Sequence, residues 1–453
     1  MKRALLIAVS LAAAAPAAAQ QAQQATPYSR AIAAGYKAAM LCSGIFIAGR
    51  TQRQVEALEL TGIYAVYQPL VTALPATVER AASRVTVAWS DSLPPRIAEW
   101  RPGTGCTNLP IGTEPATGAT RRAPPSPAGA DPRPWPMGDR GVSPRPSQRL
   151  SGAVAQAFDG ARYGAGSRTV GVVVVRGGRI AAERYADGFG PFTANRTWSV
   201  AKSLAGAIFG AAQQQRHADV AAPAAVPEWR RPSDPRGAIT SDQLLRMASG
   251  LHSATAGNRT DALYFGGTAV DEETVGWPLE TAPGTRFRYA NNDILLAMRG
   301  LAASLPAAEA YPDRLLFDRI GMRHTVAETD WRGNYILSSQ VWSTARDLAR
   351  FGLLMAQDGV WAGERILPAG WMAESIRPSG PQPADGPGYG RTLWLFGPAQ
   401  GLPAGSYAGQ GNRGQYVMVV PSRDLVLVRR GEDPAGASFD IAGFTRDVLA
   451  AIG

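Results

Sequence analysis

The sequence predicts an α+β fold in which one antiparallel sheet is closed by the first and last segments of a large domain, with a small α+β module in front. Three observations predict it. Thr169 to Arg176, a Gly177-Gly178 turn and Arg179 to Tyr185 carry the pattern of a β-hairpin. Gln415 to Val420, a turn at Pro421-Ser422-Arg423-Asp424 and Leu425 to Arg430 carry a second, followed by a helix from about Ser438. Between them the patterns are mostly helical, at Ser199 to Gln214, Ser241 to Met247, Asp293 to Ser304 and Thr344 to Gln357. Strands at both ends with helices between place both ends of the domain in one sheet.

Taken in order, residues 1–19 begin with Lys2-Arg3, continue through an apolar stretch from Ala4 to about Ala15 and end on Pro16-Ala17-Ala18-Ala19. That is the pattern of a secretory signal peptide, with cleavage expected after Ala19 and a mature protein exported to the periplasm or secreted. The apolar stretch is too short for a bilayer, and no later stretch is suited to cross one. Residues 20–112 form the small module, with helices at Ser29 to Leu41 and Gln52 to Leu60 and a hairpin of Arg84 to Trp89 with Arg96 to Trp100. In an exported chain Cys42 and Cys106, its two cysteines, are expected to form a disulfide worth roughly 4 kcal/mol in the chain-entropy model. Two separate buried thiols are the alternative. Residues 113–146 are dense in Pro, Gly and Ala and read as a linker or an extended wrapping segment, and residues 147–453 form the large domain.

Of 453 residues 46 are basic, and 43 of these are arginines, the lysines being Lys2, Lys37 and Lys202. The formal net charge of +10 is scattered, with no basic stripe interleaved with aromatics, so nucleic acid is not an expected partner. His217, His252 and His324 do not stand at ligand spacing, so neither a metal nor another cofactor is expected, and His252 and His324 are assigned structural roles. Lys2 leaves with the leader and Lys37 is assigned to an exposed helix face. Lys202 remains, and it is the one cation placed to give up a proton.

Lys202 lies three residues after Ser199 where a helical pattern begins, so hydroxyl and amine share one helix face. The apolar residues that follow predict a buried helix, in which desolvation lowers the lysine pKa and frees it to take the serine proton. A serine at a helix start also offers its backbone N–H to an oxyanion. In Pro283 to Asn292, Tyr289 and Asn291 are expected to point the same way, the tyrosine beside the lysine as a proton shuttle and the asparagine orienting both and holding a substrate carbonyl. Gly409-Gln410-Gly411-Asn412-Arg413-Gly414 precedes the Gln415 strand as a glycine-rich loop beside an edge, where a substrate can approach the backbone and find a second oxyanion donor.

In this order the elements resemble the penicillin-recognising serine hydrolase superfamily, and most closely its class C β-lactamase-like branch of esterases and 6-aminohexanoate-dimer hydrolase-type amidases. The likeness spans about residues 150–450 and includes Ile239 to Leu245 with Met247 to Leu251, Ser343 to Gly352, and Gly414-Gln415 running to Pro421. It implies a β-lactamase/transpeptidase-like sheet flanked by helices with an all-helical subdomain. It also implies Ser199 as acylated nucleophile, Lys202 as base, Tyr289 as relay with Asn291 beside it, and an oxyanion hole of the Ser199 and Asn412 backbone N–H groups next to Gly411. The expected substrate is a small ester or amide. Many relatives carry Lys-Thr-Gly where this chain has Gly409-Gln410-Gly411, so β-lactam or D-Ala-terminated peptide hydrolysis is the alternative. Arg413 is the residue that could replace the missing lysine or face solvent. A binding or sensory module without turnover is the alternative of another class.

Overall fold

The computed structural model describes residues 25–113, 129–253, 260–378 and 380–453. Residues 1–19, and most of the expected linker, lie outside the described residues.

Beyond residue 147 the architecture is one sheet with a helical layer on each face. In chain order the strands are β1 (Ala76–Glu79), β2 (Arg84–Val87), β3 (Arg96–Arg101), β4 (Gly105–Asn108), β5 (Thr169–Arg176), β6 (Arg179–Tyr185), β7 (Asn195–Arg196), β8 (Val326–Ala327), β9 (Val341–Ser343), β10 (Val360–Trp361), β11 (Glu364–Arg365), β12 (Gly388–Tyr389), β13 (Trp394–Phe396), β14 (Ser406–Gly411), β15 (Gln415–Val420) and β16 (Leu425–Gly431). Seven make the main sheet, in the order β12-β13-β14-β15-β16-β5-β6. The first and last segments do meet, through antiparallel pairing of β16 with β5.

Period-two alternation divides the sheet between two cores. Val173, Val175, Val417, Val419, Val426 and Val428 face the Val200–Gln214 and Ala345–Ala356 helices. Val172, Val174, Met418, Val420, Leu425 and Leu427 face the Gln148–Gln156 and Ile441–Ile452 helices. With both faces covered, β5 reads as an unbroken valine run.

Two sequence expectations fail in this region. Residues 409–411 are the end of β14, and β14 lies inside the sheet between β13 and β15, not as a loop beside an edge strand. Pairing on both sides makes a strand of Ser-Tyr-Ala-Gly-Gln-Gly, a segment poor in β-branched residues.

The amino-terminal residues form the four-stranded sheet β1-β2-β3-β4 under a long helix, Pro27–Phe46. Thr26 caps that helix by accepting from the Ser29 N–H, and Pro27 occupies its first turn, where an N–H would lack a partner. Cys42 and Cys106 are disulfide-bonded, with Cα atoms 6.0 Å apart, and tie the helix to β4. Lys37 is not on an exposed face. It is 6% exposed and donates to the carbonyls of Val71 and Leu74 at 3.0 and 2.7 Å. Sheet, later helices and the large domain together enclose this helix, so it lacks a solvated side from Ile32 to Phe46.

This amino-terminal core is continuous with residues of the large domain, taking in Leu263, Phe265, Leu295 and Trp342. Glu328 joins the two parts. It accepts from the Ser43 hydroxyl at 2.5 Å, the Cys106 N–H at 3.2 Å and the Trp342 indole N–H at 3.2 Å. The described part of the 113–146 segment wraps the large domain, where Arg350 donates to the carbonyls of Pro136 and Gly138 at 2.6 and 2.7 Å.

Burial raises the Glu328 carboxyl to about 7, against an ordinary value of 4.5, because the charged form is desolvated. A carboxyl raised on folding binds its proton more tightly in the native state, so its stabilising effect is present at low pH and is lost as pH rises through 7. The stability of the wild type relative to Glu328→Gln should therefore fall between about pH 4.5 and pH 7 in paired thermal melts. A pH-independent difference would mean that this carboxylate ionises in the fold at no cost.

Candidate active site

Ser199 is the N-cap of the Val200–Gln214 helix. The residue before it, Trp198, has φ +51°, a left-handed conformation that bulky side chains resist. Two contacts hold that turn: the Thr197 N–H donates to the Val341 carbonyl at 2.7 Å, and the Arg196 guanidinium lies 3.8 Å over the Trp198 ring. The sharp turn presents a half-buried Ser199 at the mouth of an otherwise buried helix.

Lys202 is 1% exposed, and its Nζ lies 3.0 Å from Ser199 Oγ, 2.7 Å from Asn291 Oδ1 and 2.7 Å from the Ser338 carbonyl. Burial holds its pKa well below the ordinary 10.5, and the positive charge of Arg196 lowers it further. A neutral lysine keeps two N–H groups. Asn291 and Ser338 accept both, which leaves the nitrogen lone pair directed at Ser199. The arrangement therefore suits proton abstraction from the serine.

Tyr289 stands beside the pair, its ring centre 5.1 Å from Lys202 Nζ. Burial raises its phenol to about 12, so it is protonated near neutrality and acts as a hydroxyl, not a phenolate. Its ring is the first of an aromatic wall, with Trp394 at 5.4 Å and Tyr389 at 5.9 Å. Asn291 begins the Asn291–Ser304 helix, with Oδ1 accepting from Lys202 and Nδ2 donating to Thr260 Oγ1 at 2.8 Å. Its amide oxygen orients the lysine.

Gly411 brings β14 against Ser199. A Cβ there would stand 2.4 Å from the Thr197 carbonyl oxygen and 3.0 Å from the Ser199 nitrogen. Only glycine allows the strand so close, and Asn412 follows it at the rim, its side chain donating to the Tyr64 hydroxyl at 3.4 Å. Gly409, at the head of the third motif, faces the same helix, and a Cβ there would lie 2.9 Å from Ser203 Oγ. Arg413 neither faces solvent nor reaches toward Ser199. It is 6% exposed and its guanidinium donates to backbone carbonyls of residues 58–61 and of Glu432.

Ser199, Lys202, Tyr289 and Asn291 are thus brought together, with Gly411 against them. Cys42 and Cys106 are elsewhere, in the amino-terminal core. His252 pairs with Glu280, and His324 stacks on Phe192 at 5.2 Å. Sequence reasoning missed Ser338, Thr260, Tyr264 and Arg196. Tyr264 shares a 2.6 Å hydrogen bond with the Ser338 hydroxyl, and Arg196 donates to Ser339 Oγ at 2.8 Å, so both steady the segment whose carbonyl receives Lys202. Ser338 contributes a backbone carbonyl, for which no side-chain pattern exists.

The Beta-lactamase family model matches residues 154–430. A 6-aminohexanoate-dimer hydrolase of Paenarthrobacter ureafaciens is 30% identical over 291 residues, covering 58% of this chain and 72% of that protein. Among solved structures, a putative 6-aminohexanoate-dimer hydrolase from Bacillus anthracis superposes with a TM-score of 0.53 at 22% identity, over 63% of this chain and 78% of that one. A putative β-lactamase from Bacteroides dorei gives 0.55 at 20% identity, over 67% and 98%. A family VIII carboxylesterase gives 0.52 at 16% identity, over 68% and 98%.

Two outcomes follow from the geometry. Gly411→Ala should lower kcat by about 10²-fold, the cost of losing one oxyanion donor, because the methyl group pushes β14 off Ser199; a rate within threefold of wild type would show that the strand yields freely. Lys202→Arg should abolish acylation by a serine-directed reagent while keeping the charge, since arginine does not release its proton. In the wild type, kcat/KM should rise with pH through an apparent pKa well below 10.5 as Lys202 is deprotonated. Acylation of the arginine variant at near-normal rate would remove lysine from the role of base.

Proposed function

Since the chain belongs to the Beta-lactamase family of serine hydrolases, we propose that it cleaves a small ester or linear amide through an acyl-enzyme on Ser199. The observation that carries this reading is the contact of Ser199 Oγ with the desolvated Lys202 amine at 3.0 Å, with the Tyr289 ring beside that amine. Lys202 takes the serine proton as Oγ attacks the carbonyl carbon. The tetrahedral oxyanion is received by the backbone N–H groups of Ser199 and Asn412. Tyr289, protonated and within reach of Lys202, passes the proton to the leaving alcohol or amine. Water then takes the same route in reverse and frees the acid.

The ester or amide preference rests on the third motif. Ser203 fills the space where the side chain of a Lys-Thr-Gly lysine would begin, and Arg413 is engaged elsewhere, so a cation for the carboxylate of a β-lactam is missing from both expected places. The aromatic wall of Tyr289, Tyr389 and Trp394 suits an apolar acyl or leaving group. The hydrolase names of the relatives favour the same substrate class. The protein is exported, with residues 1–19 as leader, residues 20–112 as module and residues 147–453 as the hydrolase; the Cys42–Cys106 bridge agrees with an oxidising compartment. Among the described residues no helix is long and apolar enough to cross a membrane.

The test offers the purified protein a chromogenic ester, a short linear amide and a chromogenic cephalosporin, with intact mass followed for an acyl adduct. Turnover of the ester or amide and an adduct, both lost in Ser199→Ala, are expected. An unchanged rate in Ser199→Ala would end the assignment, and rapid cephalosporin turnover with inert esters and amides would replace the substrate class by β-lactams.

A further inference from the structure

The amino-terminal module touches the catalytic machinery on two sides. On one side stands the turn from β14 to β15, which contains Asn412 and Arg413. Arg413 holds φ +56°, a conformation that a residue with a side chain does not keep without support. The support comes from residues 58–61. The Arg413 guanidinium donates to the carbonyls of Leu58 at 2.9 Å, Thr61 at 3.0 Å and Glu59 at 3.3 Å, and to the Glu432 carbonyl at 3.2 Å. A planar fork bound to four backbone carbonyls fixes the position of two chain segments relative to each other. Next to it, the Tyr64 hydroxyl accepts from the Asn412 side chain, whose Oδ1 in turn accepts from the Arg413 N–H at 2.9 Å.

On the other side the module grips residues 261–265. Tyr67 donates to Asp261 at 2.6 Å, Asn108 to the Tyr264 carbonyl at 3.0 Å and Arg96 to the Phe265 carbonyl at 3.1 Å. Tyr264 meets Ser338, the lysine's carbonyl partner, and the neighbouring Thr260 meets Asn291. One rigid, disulfide-tied unit therefore braces both the turn beside the nucleophile and the segment behind the base.

We propose that the amino-terminal module completes the active site, and that Arg413 is the positioning residue through which it sets the Asn412 backbone N–H as the second oxyanion donor, with Tyr64 helping to hold that turn. This rests on the acyl-enzyme reading above. A guanidinium serving stability alone would affect how much protein is folded, whereas a positioning residue changes the rate at each folded site.

The experiment compares the full-length protein with Arg413→Lys and Tyr64→Phe, and with Arg30→Gln as control. Arg30 donates to the Trp89 carbonyl inside the module, away from the site. Active sites are counted by acyl-adduct mass, and each variant is measured for kcat, KM and affinity for phenylboronic acid, a tetrahedral probe of the oxyanion hole. Arg413→Lys should lower kcat per titrated site at least about tenfold, part of the effect of losing a donor outright, with KM within twofold and boronate affinity reduced by a similar factor. Tyr64→Phe, a half-buried change that removes one hydroxyl, should shift the same two quantities about threefold. Arg30→Gln should shift neither. Unchanged kcat per site and boronate affinity in both Arg413→Lys and Tyr64→Phe would overturn the proposal, even with a lowered Tm. Activity that survives Ser199→Ala would instead strike at the acyl-enzyme itself, a failure recognisable before any module variant is examined.

Discussion

The amine of Lys202 sits in the interior with three oxygen neighbours, none of them a carboxylate, and the rest of the site is arranged around that arrangement. Burying an ammonium without a countercharge is strongly unfavourable, so the group responds by giving up its proton. Two of its neighbours are fixed acceptors, an asparagine amide and a backbone carbonyl, and they take the two remaining N–H bonds. The third is the serine. Desolvation and hydrogen-bond geometry thus act together: the amine's pKa is held well below its ordinary value, and the lone pair of the neutral amine has a single direction to point. Arg196, buried nearby and stacked on Trp198, adds like-charge repulsion while it steadies the turn that carries Ser199.

Other features follow from holding that amine in place. Asn291 must present its oxygen to the lysine, which requires an acceptor for the amide's NH2 end, and Thr260 Oγ1 is the acceptor that fixes its orientation. Ser338 must present its carbonyl, and Tyr264 anchors the same residue through its hydroxyl. β14 must run close enough to the helix start to place its backbone beside Ser199, which demands glycine at 409 and 411. The two-sided core keeps helix and sheet at a fixed distance, because the valines on one face of β15 and β16 pack on the helices while Met418, Val420, Leu425 and Leu427 on the other face are clamped by the terminal helices.

Arginine and lysine divide the interior between them. Arg346 and Arg350 pair with Asp139, Glu183 and Asp347, and Arg429 pairs with Asp433; each guanidinium retains its charge and spreads it over several acceptors. Lys37 shows that lysine also serves structure here, binding two carbonyls in the amino-terminal core, where burial lowers its pKa as well. What separates Lys202 is the hydroxyl at its third position, so scarcity of lysine drew attention to the correct residue for a reason that burial alone does not supply.

The sequence by itself determined whatever depends on neighbours along the chain. Continuous apolar runs such as Val172 to Val175 and Leu425 to Val428 specify strands buried on both faces, and the hairpin turns specify which strands pair. A spacing of three along a helix brings Ser199 to Lys202 without help from the rest of the molecule. Tyr289, Asn291 and Gly411 were legible through a resemblance of motifs, since their partners are distant in sequence. Only the tertiary structure decided the remainder. Lys37 looked exposed because an alanine- and glycine-rich helix has no strongly polar face, and what covers it comes from three other segments. Residues 409–411 looked like part of a loop because their strand character comes from β13 and β15 on either side of β14. Ser338 offers Lys202 a carbonyl, which every residue has, and Arg413 meets backbone carbonyls of residues 58–61 and 432 beside the Glu432 carboxylate. Backbone acceptors carry no sequence signature. Their role is set by where the chain passes, and in this protein that is where the base and the turn beside the nucleophile are held.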